Sequence, residues 1–262
     1  MRCVHESKLY KHNCFITLTF DNEHCPKDGS LDVSVFQDFM KRFREKIKTR
    51  LFIEKYGFYC KKLRYFHCGE YGEKRGRPHY HACIFNFDFP DRKFFKQKNG
   101  VKLYRSALLE ELWPFGNSSV GDITFESAAY VARYVTKKVT GKDADAHYRA
   151  IGFIDKDTGE VIAKKPEYTT MSRRPGIGKD FYIKYKDDIY PSDSVVLRGR
   201  AMRPPKYYDG LYEIDDALGL ERLKFKREDN MKKFLDDNTR ERLLTREQVQ
   251  VARLAFLKRE LE

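Results

Sequence analysis

No stretch of this chain approaches the roughly 18 to 20 apolar residues needed to cross a bilayer, and Met1-Arg2-Cys3-Val4-His5-Glu6 lacks the apolar core of a secretory leader. A membrane span is therefore not expected, and the cytosol is the expected compartment. No C-x-x-C pair occurs among Cys3, Cys14, Cys25, Cys60, Cys68 and Cys83, so a zinc ribbon has little support and free, mostly buried thiols are favoured over a disulfide framework. Gly176-Ile-Gly-Lys179 has neither the spacing nor the Ser or Thr of a nucleotide-binding phosphate loop. Internal repeats and low-complexity tracts are also missing, which sets aside solenoids and disordered arrays.

What is present is enough for one sizeable core: 262 residues, 41% of them hydrophobic. Positive charge is in surplus, with 52 Lys and Arg against 39 Asp and Glu. Residues 213–262 hold 12 basic and 12 acidic residues, so the whole net charge of +13 lies on residues 1–212. That distribution suits a polyanionic partner such as DNA, although RNA or an acidic protein would satisfy it too.

Along the chain, Cys14 to Phe20 alternates Ile16, Leu18 and Phe20 with Thr17 and Thr19, the pattern of a half-buried strand. Val35, Phe36, Phe39, Phe43, Ile47 and Leu51 then fall at helical spacing and predict one long helix over 31–51. Strands are expected at 63–70 and 79–87, joined by the basic, glycine-containing loop Tyr71 to Pro78 as an antiparallel pair. A short helix over 104–113, a strand over 120–125 and a helix over 127–139 follow. Residues 153–162 suggest a surface hairpin and 181–185 a short helix. Thr245 and Gln248 fit a capping box ahead of the stripe Val251, Leu254, Leu257 and Leu261. The order predicts an α+β fold with a central antiparallel sheet of about five strands flanked by helices. Pro204-Pro205 is the expected boundary between a core of residues 1–205 and a helical C-terminal tail, 206–262.

Chemistry concentrates in two short motifs. On a strand, His79 and His81 project from the same face, with Tyr80 on the other, so two imidazoles can share one divalent cation. Glu70 ends the preceding strand, and antiparallel pairing can bring its carboxylate to both. Glu73 is a rival carboxylate inside the loop. Three such ligands leave coordination positions open, as a catalytic metal site requires; the mixed imidazole and carboxylate set suits magnesium or manganese, and the ligand types also admit zinc. Taken alone, an H-x-H pair also describes two histidines on a solvated sheet face. Tyr130 and Tyr134 lie four apart, about 400° around a helix, and so share a face. Lys137 is about 700° from Tyr130, nearly in line, where an ammonium could stabilise phosphate charge or a leaving oxygen; Lys138 is offset toward a DNA backbone contact. A tyrosine pair at this spacing also describes core packing.

Together the motifs resemble the HUH endonucleases, named for His-hydrophobic-His, and more narrowly the replication initiators of small single-stranded DNA bacteriophages of the microvirus group, the gokushovirus branch especially. Phe15-Ile-Thr-Leu-Thr-Phe20 resembles the family's first motif. Gly69-Glu-Tyr-Gly-Glu73 with Gly76-Arg-Pro-His-Tyr-His-Ala82 resembles its metal motif, and Tyr130-Val-Ala-Arg-Tyr-Val-Thr-Lys-Lys138 its two-tyrosine helix. The resemblance runs from about residue 2 to about residue 212. It implies an α+β palm with His79 and His81 on a central strand and the tyrosine helix against the sheet. It also implies rolling-circle initiation in a bacterial host: one tyrosine cuts the viral origin, becomes linked to the 5′ phosphate and frees a 3′-hydroxyl primer, and the second tyrosine cuts the regenerated origin so that the strand closes into a circle. Because the covalent link conserves the bond energy, no ATP is required. Strand opening then falls to supercoiling or to a host helicase, with host polymerase and single-strand-binding protein as further partners. Arg77, in the metal motif, and Arg173 and Arg174, in Met171-Ser-Arg-Arg-Pro-Gly176, are candidate DNA contacts, and the last two also fit a solvated basic loop. Tyr80 stands where many relatives carry an aliphatic residue, a difference expected to affect packing. The chain starts about a dozen residues before its first strand, whereas a cysteine-containing segment is expected upstream in some relatives.

Two other functions fit parts of the pattern. A non-catalytic nucleic-acid-binding module needs a basic α+β sheet with aromatics but neither Glu70 nor paired tyrosines. A metal-dependent phosphodiesterase could use water at the His79, His81 and Glu70 site and leave the tyrosines to pack.

Overall fold

The computed structural model describes residues 1–57, 59, 60, 62–72, 76–98, 100–155 and 157–256; the side chains of residue 98 and of residues 134–137 lie outside the description. The chain forms two compact units, Met1–Asp180 and Phe181–Glu262. The first contains α1 (Arg2–Ser7), β1 (Asn13–Phe20), α2 (Val33–Lys46), α3 (Arg50–Tyr56), β2 (Arg64–Tyr71), β3 (Pro78–Phe85), β4 (Lys93–Lys98), β5 (Val101–Arg105), α4 (Ala107–Leu112), β6 (Gly116–Gly121), α5 (Phe125–Lys137), α6 (Ala144–Ala150), β7 (Phe153–Ile154), β8 (Val161–Ile162) and β9 (Tyr168–Met171).

Seven strands form one antiparallel sheet in the order β4-β5-β6-β1-β3-β2-β9, which confirms the α+β class and extends the expected five strands. The additions are the β4–β5 hairpin and the edge strand β9. Residues 93–98 are mostly polar and the packed apolar alternation that marks β1 is absent there, so periodicity gave no sign of a strand. The strand expected at 120–125 lies earlier, at Gly116–Gly121, and α5 begins at Phe125 because Thr124 caps it, in a reciprocal capping box with Ser127. The hairpin at 153–162 is present as β7–β8.

Alternation assigns the two sheet faces. Ile16, Leu18, Phe20, Tyr80, Ala82, Ile84 and Val120 face the main core, where α2 contributes Phe36, Phe39, Met40 and Phe43 and α4 contributes Leu108, Leu109 and Leu112. The expected helix over 31–51 is two helices. Asp32 caps α2, the chain leaves the helix at Ile47, and the Thr49 hydroxyl accepts from Phe52 N to start α3. Leu51 is consequently 79% exposed rather than part of the buried stripe. Tyr80 is fully buried on the core face, and its hydroxyl donates to Asp32 O at 3.0 Å, tying the N-terminus of α2 to the histidine strand. Burial pushes its pKa up to about 12.

The second unit holds most of α7 (Lys179–Ser192), then β10 (Val195–Leu197), β11 (Arg200–Met202), α8 (Lys206–Asp215), α9 (Ala217–Lys232) and α10 (Arg240–Ala255). Its start lies upstream of Pro204-Pro205, because residues before the prolines pack with those after them: Tyr182 lies against Tyr208, Tyr190 stacks on Tyr212, and Arg227 bridges Asp193 and Asp209. The helix foreseen at 181–185 extends over all of α7. α10 is capped by Thr239, whereas Thr245 sits inside it and donates to Glu241 O, so the expected capping box is corrected; Leu257 and Leu261 lie outside the described residues. Among the described residues no helix is long and apolar enough to cross a membrane.

Candidate active site

The face of the sheet opposite the main core carries the site. β3 runs between β1 and β2, and its register places His81 opposite Thr17 on one side and Cys68 on the other, and His79 opposite Thr19 and Glu70. Residues directly opposite share a face, so Thr17, Thr19, Glu70, His79 and His81 converge. α5 packs over this face against β2, β3 and β9.

Side-chain contacts tighten the cluster. His81 Nε2 meets Glu70 Oε1 at 2.7 Å, and the Tyr130 hydroxyl donates to the same Oε1 at 3.3 Å. The Tyr130 ring stands edge-on to His81 with centroids 5.1 Å apart, Phe15 stacks on His81 at 5.9 Å, and the Phe15 and Tyr130 rings meet edge-on at 6.4 Å. Each imidazole meets a threonine through Nδ1: Thr17 Oγ1 to His81 at 3.0 Å and Thr19 Oγ1 to His79 at 2.9 Å. A partner at Nδ1 fixes ring orientation and presents the Nε2 edge. These threonines were not recognised as site residues from the sequence, although the Thr17/Thr19 alternation was visible; the missing fact was that β1 is the neighbour of β3.

The two glycines of Gly69-Glu-Tyr-Gly have separate reasons. A Cβ at Gly69 would come within 2.7 Å of the Tyr168 ring on β9, and one at Gly72 within 2.5 Å of His79 Nε2. Glycine at 72 therefore lets the backbone approach the ligand edge of His79.

His81, Glu70 and Tyr130 are buried and His79 is half-buried, so the site reaches solvent on the His79 side. Among the described residues, no three His, Cys, Asp or Glu side chains are gathered so as to hold a metal as they stand; His81 and Glu70 bond to each other instead. The donors nevertheless fit a divalent cation. They are imidazole and carboxylate on one face, and Glu70 Oε2 is buried without a hydrogen-bond partner, which costs about 1 to 3 kcal/mol unless something satisfies it.

The remaining candidates are dispersed. Tyr134 and Lys137 lie on α5, one and nearly two turns beyond Tyr130, with side chains outside the description, and Glu73 is outside it entirely. Lys138, Arg173 and Arg174 are exposed. Arg77 binds the turn after β1 instead of projecting freely, donating to Phe20 O at 2.9 Å and to Asn22 Oδ1. The loop bearing Arg173 and Arg174 is anchored from beneath by a buried pair with no sequence signature. Arg64 bonds Glu6 and donates to Pro175 O at 3.0 Å, and Gly178 N donates to Glu6 Oε2 at 2.6 Å.

Residues 13–139, which span β1 through α5, match the family model described as Replication-associated protein ORF2. The chain is 35% identical over 216 residues to replication-associated protein VP4 of Bdellovibrio phage phiMH2K, an alignment covering 81% of this chain and 62% of that protein. It is 32% identical to replication-associated protein ORF2 of Spiroplasma virus 4, covering 86% and 66%, and 30% identical to replication-associated protein ORF4 of Chlamydia phage 1, covering 79% and 47%. It thus spans between about half and two thirds of the length of these relatives. No solved structure matches it. With the cluster of Thr17, Thr19, Glu70, His79, His81 and Tyr130 inside the matched segment, the chain belongs to the ORF2 family of phage replication-associated proteins.

Proposed function

We propose that the chain initiates rolling-circle replication by cutting and rejoining one DNA strand, with tyrosine as nucleophile. The observation that supports this most directly is the Tyr130 hydroxyl, delivered by α5 to the carboxylate that also holds His81. A buried phenol aimed at a His and Glu cluster exceeds what a binding module needs.

Glu70, His79 and His81 would hold magnesium or manganese, which when bound polarises a scissile phosphate and offsets its charge. The chain's own groups supply the rest. Thr17 and Thr19 orient the imidazoles, and Glu70 Oε1 positions the phenol and can accept its proton. As the tyrosine oxygen bonds phosphorus, the P–O3′ bond breaks, and the departing oxygen gains a proton to become the primer hydroxyl. The product is a 5′-phosphotyrosyl link. Tyr134, one turn along α5, would perform the second cut, after which the free 3′-hydroxyl displaces the first tyrosine and closes the circle. Lys137, in line with Tyr130 on the helix, would neutralise phosphate charge. Lys138, Arg173 and Arg174 would contact the DNA backbone. The setting is the cytoplasm of a bacterial host, with host helicase, polymerase and single-strand-binding protein acting on the same DNA.

The test is incubation with manganese and a labelled single-stranded oligonucleotide spanning the phage origin, followed by denaturing electrophoresis, alongside Tyr130→Phe, Tyr134→Phe and the double variant. A covalent adduct abolished only in the double variant is the expected result. Cleavage without an adduct, indifferent to both tyrosines, would mean water-mediated hydrolysis and overturn the proposal.

A further inference from the structure

Four inter-strand steps from the histidine strand, the sheet ends in the β4–β5 hairpin, about 19 Å away at ~4.8 Å per step. From Arg92 to Arg105 the sequence contains Arg92, Lys93, Lys96, Lys98, Lys102 and Arg105 and no acidic residue. Phe94 and Phe95 on β4 are 61% and 52% exposed. The ladder slips between Phe94 and Lys96, leaving Phe95 in a bulge, a device that bends a strand and re-aims its side chain. The Phe95 ring lies 5.4 Å from Lys96 Nζ and 5.6 Å from Arg105 Cζ, and Phe94 stands edge-on to Tyr104 at 6.2 Å. Arg92 and Arg105 are ion-paired, to Asp88 and Asp122 and to Glu110, while Lys93, Lys96 and Lys102 are exposed.

We propose that this hairpin is a stacking platform for single-stranded DNA, separate from the cutting site. Lysines on an edge strand discourage unwanted strand pairing, but two exposed phenylalanines undo that protection and require another reason. Flat apolar rings among cations, without a carboxylate on the hairpin, match unstacked bases joined by phosphates: the rings take the bases and the lysines the backbone. The platform lies four strand spacings from the histidines, so it would grip DNA flanking the cut rather than the cut itself. The choice of partner rests on the proposed action on single-stranded DNA.

The experiment uses the full chain and fluorescein-labelled dT30, followed by anisotropy across a salt series, for wild type, Phe94→Ala/Phe95→Ala and Lys93→Gln/Lys96→Gln. Circular dichroism and Tm verify folding, and adduct formation on the origin oligonucleotide is measured in parallel. The phenylalanine pair is expected to weaken dT30 binding about tenfold or more, and the lysine pair to reduce the slope of log K against log salt by about 1.4, with adducts still forming at saturating protein. Binding within twofold of wild type in both variants overturns the platform, as does failure of the wild type to bind dT30. A variant that changes only self-association in sedimentation also overturns it, by assigning the edge to a second copy. Adducts with unaltered dT30 binding would remove the platform and leave the nuclease standing; weakened dT30 binding with no wild-type adduct would do the reverse.

Discussion

Glu70 is the residue on which the site turns, since one carboxylate oxygen serves both His81 and Tyr130 while the other is buried without a hydrogen-bond partner. His81→Ala is expected to abolish metal-dependent cutting and leave DNA affinity largely intact, because phosphate contacts on the basic surface do not use the imidazole. Parallel measurement of adduct yield and oligonucleotide anisotropy checks this, and equal loss of both would contradict it. The threonines permit a finer test. Thr17→Val with Thr19→Val keeps the strand's shape and removes the Nδ1 contacts, and the manganese concentration for half-maximal adduct should rise about 10- to 100-fold. An unchanged manganese requirement would reduce these hydroxyls to packing.

At the scale of elements, the site depends on where α5 starts. Thr124→Ala removes the oxygen that accepts from Ser127 N, costing about 1 kcal/mol and lowering Tm by ~2 to 4 °C in a protein of this size. Adduct yield below saturation should fall with it, as the turn preceding Tyr130 frays; a lower Tm with full yield would show that packing alone holds the tyrosine. The helix, the histidine strand and the first strand were all legible in the sequence, because each alternates apolar with polar residues, or carries a motif, at the matching period. The β4–β5 hairpin and β9 were not: apart from the buried Leu103 their described residues are half-buried or exposed, and one buried side chain sets no period in the sequence. The break between α2 and α3 was hidden for the opposite reason, since Leu51 continues the apolar spacing by coincidence while Thr49 starts a new helix. Glu6 and Arg64 had no local signal at all; their pairing exists only once α1 and β2 are assembled.

At the scale of the whole molecule, the first unit should be acid-sensitive. Burial, then the charges of the N-terminus and Lys8, lower the His5 pKa to about 4. Burial, then His81, holds His67 well below its ordinary range, its ring stacked on Phe36 at 3.4 Å. In both cases the folded pKa lies below the unfolded one, so the unfolded chain binds more protons once pH drops under about 6.5. Stability is full above that pH and lost as pH falls toward 4. His5 alone should cost about 2 kcal/mol between pH 7 and pH 5. Urea midpoints should fall accordingly, and His5→Gln should flatten the dependence; an identical pH slope in that variant would refute the assignment.

Strand register makes the site a property of the assembled fold and of no single segment. Thr17, Glu70, His81 and Tyr130 belong to four elements, and only the assembled sheet with α5 over it makes them neighbours. A chain not yet folded, or one clipped by a protease, would hold the reactive groups without the site, so the DNA cutting proposed for it would begin together with folding and vanish with it.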